Sequence, residues 1–393
     1  MRAVTWQGKK KISVEDVPDP VIEEATDIII KVTSSCICGS DLHLYETMAA
    51  FMEKGDIMGH EPMGIVTEVG SEITNVKVGD RVVIPFNVSC GHCYMCKQGL
   101  QSQCETTQVH EHDRGASLLG FSKLYGHIPG GQAEYLRVPQ AQYGPIVIPH
   151  EGPDDRYVFL SDVLPTAWQA VEYANIPEGG SVVVMGLGPI GDMATRIAKY
   201  KGAKVIGVDL VPERLKRAHD NGIDTIDYSE HKDDLKKVIF DKTDGRGADA
   251  VIDAVGMEAH GSPGAELAQK VAGVLPDALA EKMLENGGVD RLAALHNAID
   301  AVRRGGTVSI VGVYAGDGDP LPIDTIFDKQ IQIRMGQANV KKWVDDILPL
   351  LTDEDPLGVE TFATHHVSIE EAPHMYEIFQ EKKDGAVKII LNP

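Results

Sequence analysis

The chain has 393 residues, 43% of them hydrophobic, with 59 acidic against 37 basic side chains, a formal charge of −22 and a pI near 5.0. Such a length and apolar content suffice for two packed domains, while the acidic balance argues against nucleic acid or an anionic membrane as partner. No apolar run is long enough to span a bilayer, and the opening MRAVTWQGKKKISVED has no signal-peptide apolar region. The expected location is therefore cytoplasmic, where the six cysteines are metal ligands or buried thiols rather than disulfides.

Residues 1–158 read as a mostly β domain. Short strands are expected at Ile28–Val32, Gly64–Val69 and Arg81–Ile84, with turns at Gly70-Ser71 and Val78-Gly79-Asp80, and together they suggest a partly closed β-barrel. Two cysteine-bearing stretches interrupt it. In the first, Cys36-Ile37-Cys38-Gly39-Ser40-Asp41-Leu42-His43 precedes Gly59-His60-Glu61. Cys38 and His60 offer one soft and one borderline ligand, an incomplete metal site that needs a third protein ligand; a satisfied core histidine is the plain alternative. In the second, Cys90, Cys93, Cys96 and Cys104 are spaced C-x2-C-x2-C-x7-C. Four thiolates on one loop close a tetrahedral shell, the mark of a structural zinc, with an iron–sulfur cluster as the rival. His92 lies inside this loop as a bystander. Tyr45, Phe51, Phe86 and Trp168 are candidate pocket walls, although aromatics near a β core more often pack it.

Residues 159–335 alternate β and α and suggest a doubly wound parallel sheet. The stretch Ser181 to Asp209 organises this part. A β-branched strand, Val182–Met185, runs into Gly186-Leu187-Gly188-Pro189-Ile190-Gly191, then a helix at about Ile190–Lys201, then a strand at Lys204–Val208 that ends on Asp209. Gly186 permits the tight turn, Gly188 lets a pyrophosphate approach, Gly191 lets the helix pack on the strand, and the helix N-terminus faces the phosphates. Asp209 stands about twenty residues on, where a carboxylate accepts from a ribose 2′-OH and repels a 2′-phosphate, which favours NAD over NADP. A helix at Pro212–Asn221, a weak strand at Thr225–Asp227 and a helix at Lys232–Phe240 follow. Strands at Ala248–Asp253 and Thr307–Val311 run out into Ala254-Val255-Gly256 and Gly312-Val313-Tyr314, with Val255 and Val313 as candidate cofactor contacts. Residues 257–304 are long for one crossover and carry helix-like patterning at Glu266–Val271 and Leu275–Leu284. Residues 336–393 return to the first domain with an amphipathic helix at Glu370–Phe379 and a closing strand at Val387–Leu391.

Taken together, Cys38–His43, Gly59-His60-Glu61-Pro62-Met63-Gly64, the four-cysteine loop, the glycine fingerprint and Lys383-Asp384-Gly385-Ala386-Val387-Lys388 resemble the zinc-containing medium-chain alcohol dehydrogenases, in family order and over nearly the whole length. Ile84–Cys90, Gly130–Tyr135 and Leu160–Thr166 resemble, within that family, the glutathione-independent formaldehyde dehydrogenase and dismutase branch. The resemblance implies a GroES-like catalytic domain beside a Rossmann domain, two Zn²⁺ per chain, and NAD. It implies a catalytic zinc on Cys38, His60 and a third residue just before the dinucleotide domain. Many relatives have cysteine there, but this chain has none after Cys104, and the aligned candidate is Asp162, with Glu61 as runner-up by exchange with water. It further implies a proton relay from Ser40 through the nicotinamide ribose to His43, where a bracing role for both is the alternative. Arg214 would reach the adenosine ribose or else lie on a helix surface, and Lys388 would approach the pyrophosphate or else be a surface lysine. The insertion would cover a retained NAD or form a surface or oligomer contact. The implied substrate is a small alcohol or formaldehyde, with polyol or amino-alcohol oxidation as alternatives, and a non-catalytic zinc-stabilised NAD-binding sensor as the reading from another class. A homo-oligomer is expected, a tetramer ahead of a dimer.

Overall fold

The computed structural model describes residues 1–256, 292–314 and 321–393. The helix-like segments expected at Glu266–Val271 and Leu275–Leu284, and the covering role expected for them, lie outside the described residues. The chain divides into two units, Met1–Thr166 with Ala338–Pro393, and Ala167–Gln337.

The first unit is a mostly β domain. Strands β1 (Arg2–Gly8) and β2 (Lys11–Asp16) form an antiparallel hairpin. The main sheet runs β14 (His365–Ser368), β15 (Ile389–Asn392), β3 (Ile28–Ile37), β4 (Met63–Val69), β5 (Arg81–Val83) and β7 (Ile146–Val147), with β6 (Tyr135–Val138) also paired to β3. Ile28, Ile30, Val66, Val82 and Leu136 fill the barrel interior. A second cluster, with Val4, Leu44, Met58, Tyr376, Phe379 and Ile389, packs beside it. Each such side chain contributes about 1.5–3 kcal/mol by leaving water.

Strand β3 runs five residues beyond the expected Ile28–Val32. Thr33-Ser34-Ser35 hides the continuation in the sequence, but β15 pairs there, with Ile37 opposite Ile389 and Cys36 opposite Ile390. The extended strand delivers Cys38 as the N-cap of the helix Gly39–Glu46. The expected helix at Glu370–Phe379 opens as a 3₁₀ turn, Ile369–Glu371, capped by Ser368, and becomes α-helical only from Ala372, where Pro373 fits the first turn.

The second unit is a six-stranded parallel sheet in the order β10 (Asp224–Asp227), β9 (Lys204–Asp209), β8 (Ser181–Met185), β11 (Ala248–Asp253), β12 (Val302–Ile310) and β13 (Gln332–Met335). This is the doubly wound order with its switch point between β8 and β11. Helices Pro189–Tyr200, Pro212–Asp220, Leu235–Lys242 and Ala293–Ala301 accompany it. Two expectations shift. Residues 232–234 form a turn, so the helix expected from Lys232 begins at Leu235. Strand β12 starts at Val302 rather than Thr307, because a register shift around Gly305-Gly306 lets Val302 pair with Ala248 before Thr307 pairs with Ala250.

At the barrel rim Asp154 accepts from Ser34 Oγ at 2.8 Å and from the Arg81 guanidinium, which also donates to the Pro149 carbonyl at 2.9 Å. Burial pushes the Asp154 carboxyl up, but the Thr33, Arg81 and Ser34 side chains together with the Arg81 charge outweigh it and hold it below the ordinary 3.8. A carboxylate with a depressed folded pKa stabilises the fold above its unfolded pKa and loses that contribution as pH falls through the folded value. Asp154→Asn should therefore cost roughly 1.5–3 kcal/mol at neutral pH. Urea unfolding of the two proteins across pH should show the gap closing only below about pH 4.

Candidate active site

Four acidic or metal-philic side chains converge in the first unit. Cys38 comes from the end of β3, His60 and Glu61 from the turn before β4, and Asp162 from the residue before the helix Val163–Ala174. All four are buried, and one ligand atom from each lies within 4.8 Å of the others. Asp162 Oδ2 is 3.5 Å from Cys38 Sγ and 3.3 Å from His60 Nε2. A tetrahedral ion with bonds of about 2.0–2.3 Å to sulfur, nitrogen and oxygen requires edges of about 3.3–3.6 Å, so the donor set fits zinc. Glu61 Oε1, fully buried, has no hydrogen-bond partner, which leaves one further oxygen at the same centre.

The surroundings fix these donors. His60 Nδ1 lies 3.0 Å from Asp41 Oδ1, so the imidazole gives its proton to that carboxylate and turns Nε2 towards the cluster. Asp41 is itself held: Oδ2 accepts from Cys38 N–H at 2.9 Å and from Gln132 Nε2 at 3.4 Å, and Gln132 Oε1 accepts from Tyr376 O–H at 2.9 Å. Thr166 Oγ1 donates to Asp162 Oδ1 at 2.5 Å. Burial pushes the Asp162 carboxyl up, and the hydrogen bond and charge of His60, the Thr166 hydrogen bond and the Lys388 charge together more than reverse this, leaving it below the usual range. Burial and the nearby Glu61 and Asp162 push the Cys38 thiol up, a cost that a bound cation would lift.

Lys388 departs from the surface reading of the sequence. It is not a surface lysine: its side chain is 0% exposed, and its ammonium pairs with Glu61 Oε2 and lies 3.5 Å from the Ile37 carbonyl. Strand β15 runs beside β3, and this carries the lysine into the interior. Burial pulls the Lys388 ammonium pKa down, but the Glu61 charge and hydrogen bond, together with Cys36 and Cys38, push it up further and keep it cationic. Ser40 Oγ lies 3.3 Å from His60 Nε2, and His43 follows one helical turn along the same helix. Of the expected aromatic walls, Phe86 stands edge-on to His60 at 6.1 Å between centroids, whereas Tyr45 packs on Tyr376 in the core and Trp168 lies in the second unit under Lys201. Phe51 lies partly buried in a short 3₁₀ turn.

Sequence reasoning assigned no role to Asp41, Gln132, Thr166, Phe121 or Tyr376. Asp41 lay inside the Cys38–His43 stretch, and its spacing to Cys38 as a helix-capping acid was a readable signal. Phe121, edge-on to His60 at 6.5 Å, has no local signature.

The four-cysteine loop gathers as well. The sulfurs of Cys90, Cys93, Cys96 and Cys104 lie within 4.8 Å of one another, unbridged, with Cys93 and Cys104 3.9 Å apart. A tetrahedral zinc–sulfur shell has an edge of about 3.8 Å. Backbone N–H groups of Cys90, Cys93, Cys96 and Glu105 point at the sulfurs, each at 3.4 Å, as they would at thiolates. Against burial, such bonds bring the Cys104 thiol down to about 6. His92 turns its Nδ1 to the Cys90 carbonyl at 3.0 Å and stays out of the sulfur cluster.

In the second unit Gly186 has φ +83° and Gly188 is the N-cap of the helix Pro189–Tyr200, with Pro189 in the first turn and Ile190 after it. A Cβ on Gly191 would stand 1.7 Å from the Gly186 carbonyl oxygen, so only glycine lets this helix meet the turn. The backbone thus forms an open cradle at a helix N-terminus, which suits a pyrophosphate. Asp209 ends β9, and its carboxylate accepts from the N–H groups of Leu187 (2.6 Å), Leu210 (2.7 Å) and Val211 (2.8 Å). Arg214 is not an ordinary surface arginine: its side chain is 13% exposed, with Nη1 3.9 Å from Asp209 Oδ2. Val255 is half-buried against Gly186 and Val313 is exposed.

Comparisons with known proteins agree with this geometry. The alcohol dehydrogenase GroES-like domain family matches residues 24–149, and the zinc-binding dehydrogenase family matches residues 189–272. An uncharacterized zinc-type alcohol dehydrogenase-like protein of Bacillus subtilis is 41% identical over 100% of both chains. Formaldehyde dismutase of Pseudomonas putida is 32% identical over 100% of this chain and 97% of its own. The solved alcohol dehydrogenase from Thermus sp. ATN1 superposes with a TM-score of 0.82 at 32% identity, covering 100% of this chain and 99% of its own.

The position of Asp41 yields a test. Asp41→Ala should weaken zinc binding at the Cys38, His60 and Asp162 cluster about 10–100-fold, the usual cost of losing a carboxylate behind a metal-facing histidine. Titration with a colorimetric zinc chelator reads this, and an unchanged zinc affinity would contradict the role given to Asp41.

Proposed function

The chain belongs to the zinc-type medium-chain alcohol dehydrogenases, and from that premise we propose that it is an NAD-dependent enzyme oxidising small alcohols or the hydrate of a small aldehyde such as formaldehyde. The observation that carries the reading is the buried meeting of Cys38, His60 and Asp162, with edges of 3.3 and 3.5 Å. These three would hold a catalytic zinc, with Glu61 as the exchanging fourth donor. Cys90, Cys93, Cys96 and Cys104 would hold a second, structural zinc. When bound, the first zinc supplies a Lewis acid for the substrate oxygen, and the nicotinamide supplies the hydride acceptor.

The chain's own residues handle the proton. Ser40 Oγ, beside His60, takes the substrate's hydroxyl proton, and His43, one turn along the helix, releases a proton towards solvent at the far end of the relay. Asp41 keeps His60 in one tautomer throughout. Phe86 and Phe121, both edge-on to His60, restrict the neighbourhood to a small group. Formaldehyde hydrate carries both the hydroxyl that loses a proton and the C–H that loses a hydride, so the same steps yield formate. The similarity to formaldehyde dismutase supports this substrate class.

Asp209 supports NAD, because its buried carboxylate would repel a 2′-phosphate. Arg214 stands close enough to offset part of that charge, so both cofactors belong in the test. Reduced cysteines in both clusters suit the cytoplasm. All four residues of β13, the sheet's edge strand, are exposed, including Ile333 and Met335, and an open edge of this kind supports a homo-oligomer.

The test is zinc content together with reduced-cofactor formation on formaldehyde, ethanol, longer alcohols and sorbitol, each with NAD and NADP. The expected outcome is two zincs per chain and turnover of a small substrate with NAD. Asp162→Ala should lose one zinc and the activity. Ser40→Ala should keep both zincs and slow turnover about 10²–10⁴-fold. A fully active Asp162→Ala protein, or no turnover on the whole panel, would sink the reading.

A further inference from the structure

Asp253, the last residue of β11, is fully buried and gathers five hydrogen bonds. Its backbone carbonyl accepts from Val311 N–H at 3.0 Å and Gly312 N–H at 2.9 Å, just past the end of β12. Its Oδ1 accepts from Val255 N–H at 3.0 Å and Gly256 N–H at 3.2 Å, just past its own strand. Its Oδ2 accepts from Tyr314 O–H at 2.5 Å. One residue thereby pins the carboxyl ends of two neighbouring parallel strands to each other.

The two ends also touch directly. A Cβ on Gly312 would stand 2.2 Å from Gly256 N, and one on Gly256 would stand 2.5 Å from the Val313 carbonyl oxygen. On the other side the same segment abuts the glycine turn of β8: a Cβ on Gly186 would meet Val255 Cγ2 at 2.8 Å, and Ala254 N–H donates to the Met185 carbonyl at 2.9 Å. The ends of β8, β11 and β12 are therefore one continuous braced surface, with Asp253 beneath it.

In a doubly wound sheet the ligand lies beyond the carboxyl ends of the strands at the switch point, here between β8 and β11. The β8 end, with its helix N-terminus, takes the pyrophosphate. The adenosine half turns towards β9 and Asp209, so the other half must cross the ends of β11 and β12. We propose that Asp253 and Tyr314 are positioning residues for the nicotinamide half of the dinucleotide, holding Val255, Gly256, Gly312 and Val313 in the surface that this half rests on. The proposal relies on the dinucleotide reading given above. It assigns a function to a buried acid and a half-buried phenol that would otherwise count only as packing.

The chemistry suits a fixed brace. Burial and the neighbouring Asp253 push the Tyr314 phenol up, so it remains a hydrogen-bond donor. A buried carboxylate that loses a donor must relax towards another, and the atoms free to move with it are the backbone N–H groups of Val255 and Gly256.

Tyr314→Phe keeps the ring and removes the single bond to Asp253. Fluorescence titration with NADH and NADPH, calorimetric titration with ADP-ribose, which lacks the nicotinamide, and thermal melting separate the possibilities. The expected result is a loss of about tenfold in affinity for the reduced cofactor that the wild type binds, as for one charge-assisted hydrogen bond, with ADP-ribose affinity within about twofold. Asp253→Asn should show the same selective loss; if it does not fold, Tyr314→Phe decides alone. Equal losses for NADH and ADP-ribose would make the pair a general brace and overturn the proposal, as would no loss for either. A wild type that binds neither reduced cofactor overturns the dinucleotide reading, and the proposal with it.

Discussion

The first unit is shaped by a concentration of buried negative charge. Cys38, Glu61, Asp41 and Asp162 share one interior with His60, and water reaches almost none of them. Groups of like sign in a poorly solvated site repel strongly and cannot all stay ionised without compensation. The fold supplies part of the balance through Lys388, whose ammonium faces Glu61 from β15. It supplies more through hydrogen bonds from the Cys38 N–H, Gln132 and Thr166. The remainder calls for a dication, which two anionic ligands and a neutral imidazole can hold without excess charge. The structure thus specifies a metal by its unresolved electrostatics as well as by donor spacing.

That constraint explains the chain's path. The last strand could have closed the sheet with any apolar sequence, yet β15 pairs with β3 in a register that sets Ile389 opposite Ile37, one residue before Cys38. Lys388 then enters beside the metal-facing residues although it is 327 positions from Glu61. The same pairing prolongs β3 and makes Cys38 an N-cap, so that Ser40, Asp41 and His43 are presented by one short helix. Sheet register, more than any local preference, sets the distances between the chemical groups.

The readable part of the sequence follows from this. Cys38, His60 and the four cysteines carry their meaning in residue type and spacing, and the glycine fingerprint carries its meaning in backbone freedom, so each could be found locally. Asp162 was identifiable only by its likeness to the formaldehyde-oxidising branch, since an aspartate ahead of an apolar helix is unremarked by composition. Lys388 was misplaced because a lysine near a chain terminus usually lies on the surface, and its partner is fixed by strand pairing that no local pattern records. The β3 extension was missed for the same reason: Thr33-Ser34-Ser35 looks like a turn until β15 is laid beside it. The crossover between β11 and β12 was overextended, because the bulge at Gly305-Gly306 looked like the strand's beginning when it is an irregularity inside it.

Asp253 marks the limit of what spacing can say. As the last letter of Ala-Asp-Ala-Val-Ile-Asp it reads as a polar stop to a buried strand, and Tyr314 reads as one aromatic after a glycine. Neither type nor interval distinguishes them, because their partnership runs between the ends of two parallel strands whose connection is the longest in the sheet. Parallel pairing requires a crossover, so the residues that meet at these strand ends are well separated in sequence. In a doubly wound fold the carboxyl ends of the strands are also where ligands bind. The contacts that brace such a site are therefore the ones a sequence conceals best, whereas glycines and metal ligands, which must satisfy backbone geometry or coordination chemistry locally, stay visible.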